Sequence, residues 1–167
     1  MKTAARSIAI AAILAGAAIA IHRWCWIPYR LNIVKKTVEQ RTFKAFDSVQ
    51  VESAVIVARN NIDALARAGG DCGRDVDVCM EIAANERILG RWREAIAAYE
   101  RALRLSKRPE VYYNLAMTEL RAGDRETAIE HLVCAVRFDP EVGYIPDPEI
   151  NAEVHRRAYL ASRAAAR

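Results

Sequence analysis

The sequence predicts an all-α chain: a right-handed array of helix-turn-helix units, preceded by an N-terminal transmembrane helix and closed by a C-terminal capping helix. Three observations predict it. The composition is rich in Ala and poor in aromatics (7%), with 7 Gly and 5 Pro in 167 residues, and small side chains let helix backbones approach closely. A pattern recurs with a period of 33 residues in the second half of the chain. An uncharged apolar run stands near the N-terminus, flanked by basic residues.

That run extends from Ser7 to Ile21. As a helix it covers roughly 22 Å at 1.5 Å per residue, short of a hydrocarbon core of about 30 Å. Lys2 and Arg6 supply a positive leader, and Ala15-Gly16-Ala17 and Ala18-Ile19-Ala20 offer small-residue cleavage sites, as in a secretory signal. The residues that follow favour an uncleaved anchor over residues 1–30. Trp24, Trp26 and Tyr29 cluster as amphipathic rings do at a membrane–water interface, and Arg23 can snorkel so that the span reaches from about Ala4 to Ile27. His22, Arg23 and Trp24 before Cys25 are not the small-residue box of a lipoprotein site. Basic residues on the inner flank, Arg23, Arg30, Lys35 and Lys36, speak for a cytoplasmic domain. The basic-leader layout speaks for the far side. The expectation is a single-pass anchor in a bacterial inner membrane with the domain on the periplasmic side. The alternatives are a cleaved, soluble periplasmic form and a cytoplasmic-facing domain.

The net charge of +4 belongs to this end of the chain. Lys2 and Arg6 give +2, residues 22–46 give +5, and the chain from Asp47 onward is left at −3. A nucleic-acid-binding domain carries its positive charge on its own folded surface, so nucleic acid is excluded as the main partner.

Residues 31–48 read as a basic connecting segment, with β-branched residues, no clean period and room for a partly helical stretch. Asp47-Ser48 offers an N-cap, with Gln50 placed for a capping box. Val51, Val55, Ala58, Ile62 and Leu65 recur at steps of 4, 3, 4 and 3, and Gly69-Gly70 closes this helix, expected at 49–68. Then comes the repetition. Ala83, Glu86, Gly90, Ala95, Ile96, Ala102 and Arg104 coincide with Ala116, Glu119, Gly123, Ala128, Ile129, Ala135 and Arg137. Each unit, about 76–108 and 109–141, reads as helix, tight glycine turn, helix. A lone pair cannot bury its apolar face, so the units stack into one core across a domain of residues 49–167. Asp147-Pro148 opens a capping helix at about 148–165, whose apolar face is Ile150, Val154, Ala158 and Ala161.

These residues resemble the tetratricopeptide repeat family, and with the anchor its membrane-anchored bacterial members. The second unit gives Tyr112-x2-Leu115-Ala116-x2-Glu119, then Ala128-x3-Leu132-x2-Ala135 and Pro140. The first gives Cys79-x2-Ile82-Ala83-x2-Glu86, then Ala95-x3-Tyr99-x2-Ala102, with Lys107 in place of the proline. Both units carry Glu where the family has Tyr, and the spacing is one short of 34.

The resemblance implies that the first helix of each unit lines a concave groove that grips a peptide or helix of a protein partner. On that face stand Asp77, Met80, Ala84 and Arg87, continued by Glu110, Tyr113, Asn114, Met117 and Leu120. The family's clamp for C-terminal carboxylates is matched only by Asn114 and Arg87. The implied function is a membrane-tethered protein–protein interaction adaptor or scaffold. The alternative is a structural accessory subunit of a membrane complex, with the Ala11, Ala15 and Ala18 face of the anchor packed against other helices.

No enzyme is expected. His131-x2-Cys134 puts two ligand types on one helix face, which is too few for zinc, and no nucleophile elbow, phosphate loop or dinucleotide fingerprint occurs. No cofactor, metal or small-molecule substrate is implied. Cys72 and Cys79 flank the start of the first full unit. In an oxidising compartment they suit a disulfide; alternatively Cys79, in the family's early aromatic position, is a buried core thiol.

Overall fold

The computed structural model describes residues 13–46 and 51–165. All regular structure among them is helical. Residues 13–21 are helical and run through a five-residue π-turn, His22–Trp26, directly into α1 (Ile27–Phe46). Then follow α2 (Val51–Arg67), α3 (Val76–Ile88), α4 (Trp92–Leu105), α5 (Pro109–Ala122), α6 (Arg125–Phe138) and α7 (Pro148–Ala165). The π-turn has a local cause. Pro28 has no N–H to give the Trp24 carbonyl, and its ring would press on that carbonyl in an ordinary α-turn. The widened turn instead lets the Ile27 N–H bond the His22 carbonyl.

No helix among the described residues is long and apolar enough to cross a membrane. The expected transmembrane helix starts within residues 1–12, which lie outside the described residues, and its described apolar part ends at His22-Arg23. The expected capping box at residues 47–50 also lies outside them.

Residues 31–46 of the expected connecting segment are not a connector but wholly helical; this is a correction. They are the body of α1, which packs on both α2 and α3 and is the first helix of a leading unit. Val38, Thr42 and Ala45 are buried, with Ile27, Leu31 and Val34 half-buried behind them. Those six positions step by 4, 3, 4, 4 and 3, a helical stripe whose period is hidden by the hydroxyl of Thr42. On α2 the buried face is Ala54, Ala58, Asn61 and Leu65, continued by Ala68 in the turn after it. It is turned about one residue from the expected Val55–Ile62 face, again because a polar residue, Asn61, sits in the core.

The two full units follow the 33-residue repeat. Gly90 (φ 71°) and Gly123 (φ 92°) close the first helix of each in the left-handed region, where a Cβ is disfavoured. The Arg91 N–H bonds the Glu86 carbonyl at 2.9 Å, and the Asp124 N–H bonds the Glu119 carbonyl at 2.9 Å. Asp75 caps α3 by accepting from the Asp77 and Val78 N–H groups, and Asp124 caps α6 by accepting from Thr127. Ala83, Ala95, Ala98, Ala102, Ala116, Ala128 and Ala135 are fully buried where helices close together. Tyr99 and Leu132, one period apart, fill the space between units.

The two glutamates that replace the expected tyrosines are buried beside a basic side chain supplied by the following turn or helix. Glu86 accepts from Arg91 at 3.4 Å, and Glu119 is bonded by His131 Nδ1 at 2.8 Å. The bond to Glu119 raises the His131 pKa against the opposing effect of burial. The capping helix α7 begins as expected: Asp147 accepts from the Glu149 and Ile150 N–H groups at 2.9 and 3.1 Å, and Ile150, Val154 and Ala158 pack on α6 with Ile145.

Candidate binding cleft

The first helices of three successive units, α1, α3 and α5, enclose a cleft of about 580 Å³. Asn32, Lys35, Lys36 and Glu39 line it from α1, Asp77, Met80 and Glu81 from α3, and Arg108 and Glu110 from the start of α5. Its wall is held by ion pairs between helices. Lys35 Nζ lies 3.0 Å from Asp75 and 2.9 Å from Asp77, and Arg108 reaches Asp77 at 3.0 Å. The hydrogen bond from Lys35 is the main reason the Asp77 carboxyl titrates below its ordinary value. Burial works to lower the Lys35 pKa, but the bonds to Asp77 and Asp75 outweigh it and the net shift is upward.

Glu81 is the exception among these groups. Burial, joined by the charges of Glu39 and Asp77, pushes its carboxyl up to about 7 against the hydrogen bond from Thr42 and the charge of Lys35. The Thr42 hydroxyl donates to Glu81 Oε2 at 3.2 Å.

Of the residues expected on the concave face, Asp77, Met80 and Glu110 line this cleft. Ala84 and Arg87 are half-buried further along α3, with Arg87 bonded to the buried Tyr99 hydroxyl. The remainder do not form one continuous surface with them. The segment between α6 and α7 folds back over α5: the Tyr113 hydroxyl donates to the Tyr144 carbonyl at 2.7 Å, and a Cβ on Gly143 would lie 2.6 Å from the Tyr113 ring. Tyr113 is thus covered by the chain itself. Asn114 is half-buried, its carbonyl accepting from Thr118. Met117 and Leu120 open instead on a separate hollow of about 370 Å³ with Pro146, Asp147 and Ile150. Sequence reasoning missed Asn32, Lys35, Lys36, Glu39, Glu81 and Arg108. The first four follow from the helical stripe of α1, since residues opposite or beside Val34 and Val38 must face out.

Cys72 and Cys79 are joined as a disulfide with Cα atoms 4.5 Å apart, and Cys79 is fully buried. Arg101 Nε approaches Cys72 Sγ at 3.3 Å. The bridge ties the α2–α3 loop to the first turns of α3, beside the Asp75 cap. Denaturing alkylation without reductant is expected to modify two thiols, Cys25 and Cys134, and not four. Cys79→Ser is expected to cost about 2 kcal/mol, the entropy of so short a loop, read from urea unfolding. Cys134 is half-buried and the His131 ring is engaged by Glu119. Among the described residues no cluster of metal-ligating side chains occurs.

No family model matches the sequence, and no curated protein is similar to it. Among solved structures, the chain is similar to the crystal structure of a thermophilic TPR protein from Thermus thermophilus, with a TM-score of 0.62. The two are 19% identical, and the match covers 86% of this chain and 69% of that one. At that identity the likeness establishes the architecture: the protein has a tetratricopeptide-repeat-like helical fold.

Proposed function

We propose that the protein is a membrane-tethered adaptor that holds a peptide or helix of a protein partner in the cleft between α1, α3 and α5, and that it works by binding and not by catalysis. The observation that carries this reading is the cleft itself. Three successive first helices present side chains of both charges around an adaptable apolar residue, Met80, the kind of surface that orients a partner segment. A photo-crosslinking residue at position 80 of the full chain in membranes should capture a protein. Met80→Ala with Glu110→Ala should weaken that partner by about 2 kcal/mol, or some thirtyfold. Arg156→Glu with Arg157→Glu, which breaks exposed and half-buried pairs made by the capping helix to Glu153 and Glu126, away from the cleft, should leave it bound. Release by the second variant and retention by the first would move the interface to the capping helix.

Support for the tether is the exposure of Ile13, Leu14, Ile19, Ile21, Trp24 and Trp26, which no other part of the described chain covers. Lipid suits such a surface. The chain should therefore resist carbonate extraction; a soluble species beginning at Ala18 or Ile21 would sink the idea. The Cys72–Cys79 bridge supports the periplasmic side, where disulfides persist.

A further inference from the structure

Three ion pairs between helices hold the wall of the cleft, and all three end on one short stretch of chain. Lys35 of α1 reaches Asp75 and Asp77, and Arg108 at the head of α5 reaches Asp77. Asp75 and Asp77 both lie between Cys72 and Cys79, inside the ring that the disulfide closes. The polar bonds of the loop itself are local: the N–H groups of Gly73, Arg74 and Asp75 all bond back to Asp71. The ion pairs are partly exposed, and pairs of that kind are weak by themselves. The bridge is the covalent tie. It pins the first turn of α3, where the Cys79 N–H bonds the Asp75 carbonyl at 3.1 Å, to the loop before it.

The two sulfurs are not equivalent. Cys79 is fully buried, in the apolar cluster with Ala98 and Ala102 of α4, whereas Cys72 is half-buried. Arg101 of α4 brings its Nε within 3.3 Å of Cys72 Sγ. A guanidinium there draws an incoming thiolate to Cys72 and holds Cys72 as a thiolate once it is freed. A half-buried sulfur beside a cation, joined to a buried one, suits a bridge that exchanges.

We propose that the Cys72–Cys79 bridge is a thiol–disulfide exchange site that takes a dithiol, and that its redox state latches the cleft. A thiolate of the dithiol attacks Cys72 Sγ, the S–S bond breaks, and Cys79 leaves with the electron pair. The second thiol then attacks the reductant's sulfur in the mixed disulfide, and Cys72 leaves as a thiolate beside Arg101. The proton of that second thiol ends on Cys79, and the dithiol departs oxidised to a disulfide. With the bridge closed, Asp75 and Asp77 stay in place for Lys35 and Arg108, and α1 and α5 are clamped on α3. With it open the first turn of α3 frays, both carboxylates leave their partners, and α1 loosens. As regulation this rests on the cleft being the binding site. Helix protection reports the latch with no partner present, so its failure would leave the binding reading standing.

Hydrogen–deuterium exchange of the full chain in detergent at neutral pH tests it, before and after dithiothreitol without denaturant. Alkylation and intact mass count the opened bridges. Reduction should proceed on the folded chain, and the protection of α1 relative to α6 should then fall about tenfold. Arg101→Gln should slow this reduction several-fold and leave α1 fully protected in the oxidised form. Cys72→Ser with Cys79→Ser should show the lowered α1 protection with or without dithiothreitol. A bridge that opens only under denaturant would overturn the proposal on the unmodified chain alone. So would an opened bridge with α1 protection unchanged, or with α6 losing as much protection as α1. Equal rates of reduction in the Arg101→Gln and unmodified chains would sink the exchange site.

Discussion

Replacing Ala128 with tryptophan is expected to destabilise the domain by about 3 kcal/mol or more. Ala128 is fully buried at the start of α6, in the cluster with Ala116, Leu132 and Val154. The helices of the second unit approach so closely there that an indole has no volume to enter. Forcing it in must part α5 from α6, and the apolar contact with α7 goes with it. Ala95→Trp, one period earlier, should act alike in the first unit. The measurement is urea unfolding followed by circular dichroism; unchanged midpoints in both variants would mean that the repeat packing is not as described.

The second large effect is expected from shortening the chain. A fragment of residues 47–167 contains both full repeats and the cap, yet it lacks α1. Without that helix, the buried face of α2 at Ala54, Ala58 and Leu65 loses the helix packed against it, and Asn61 and Asn85 lose their shared partner Thr42. At about 1.5–3 kcal/mol per large apolar side chain uncovered, and about 1–3 for each buried amide left unpaired, the loss is on the order of 4 kcal/mol. A fragment starting at residue 27 should melt well above one starting at residue 47. Identical melting of the two fragments would mean that α1 adds nothing to the core.

This second comparison marks where the sequence was legible and where it was not. The paired alanines, the two turn glycines and the Asp147-Pro148 start of the cap each repeat or announce themselves locally, and the structure uses them as expected. The leading unit was opaque because its core is partly polar. Thr42 and Asn61 break the apolar period that reveals a helix, although they bond to each other and to Asn85 of α3. The glutamates at 86 and 119 looked like defects in the repeat until Arg91 and His131 were seen beside them. The cleft suffered in the same way: without α1, only Asp77, Met80 and Glu110 of its lining were visible. The covering of Tyr113 by Gly143 and Tyr144 is a contact across thirty-odd residues, made by an irregular segment that carries no period to read.

The helix that runs unbroken from residue 13 through the π-turn to residue 46 also sets a direction. With no flexible joint, whatever surrounds residues 13–21 fixes the compass bearing of the cleft, because each residue of an α-helix turns the chain by about 100° and advances it by 1.5 Å. Removing one residue between 21 and 27 would leave every repeat folded and yet swing the open side of the array through more than a quarter turn. The length of that stretch is an angular setting, and Pro28 with its widened turn is the stop that holds it.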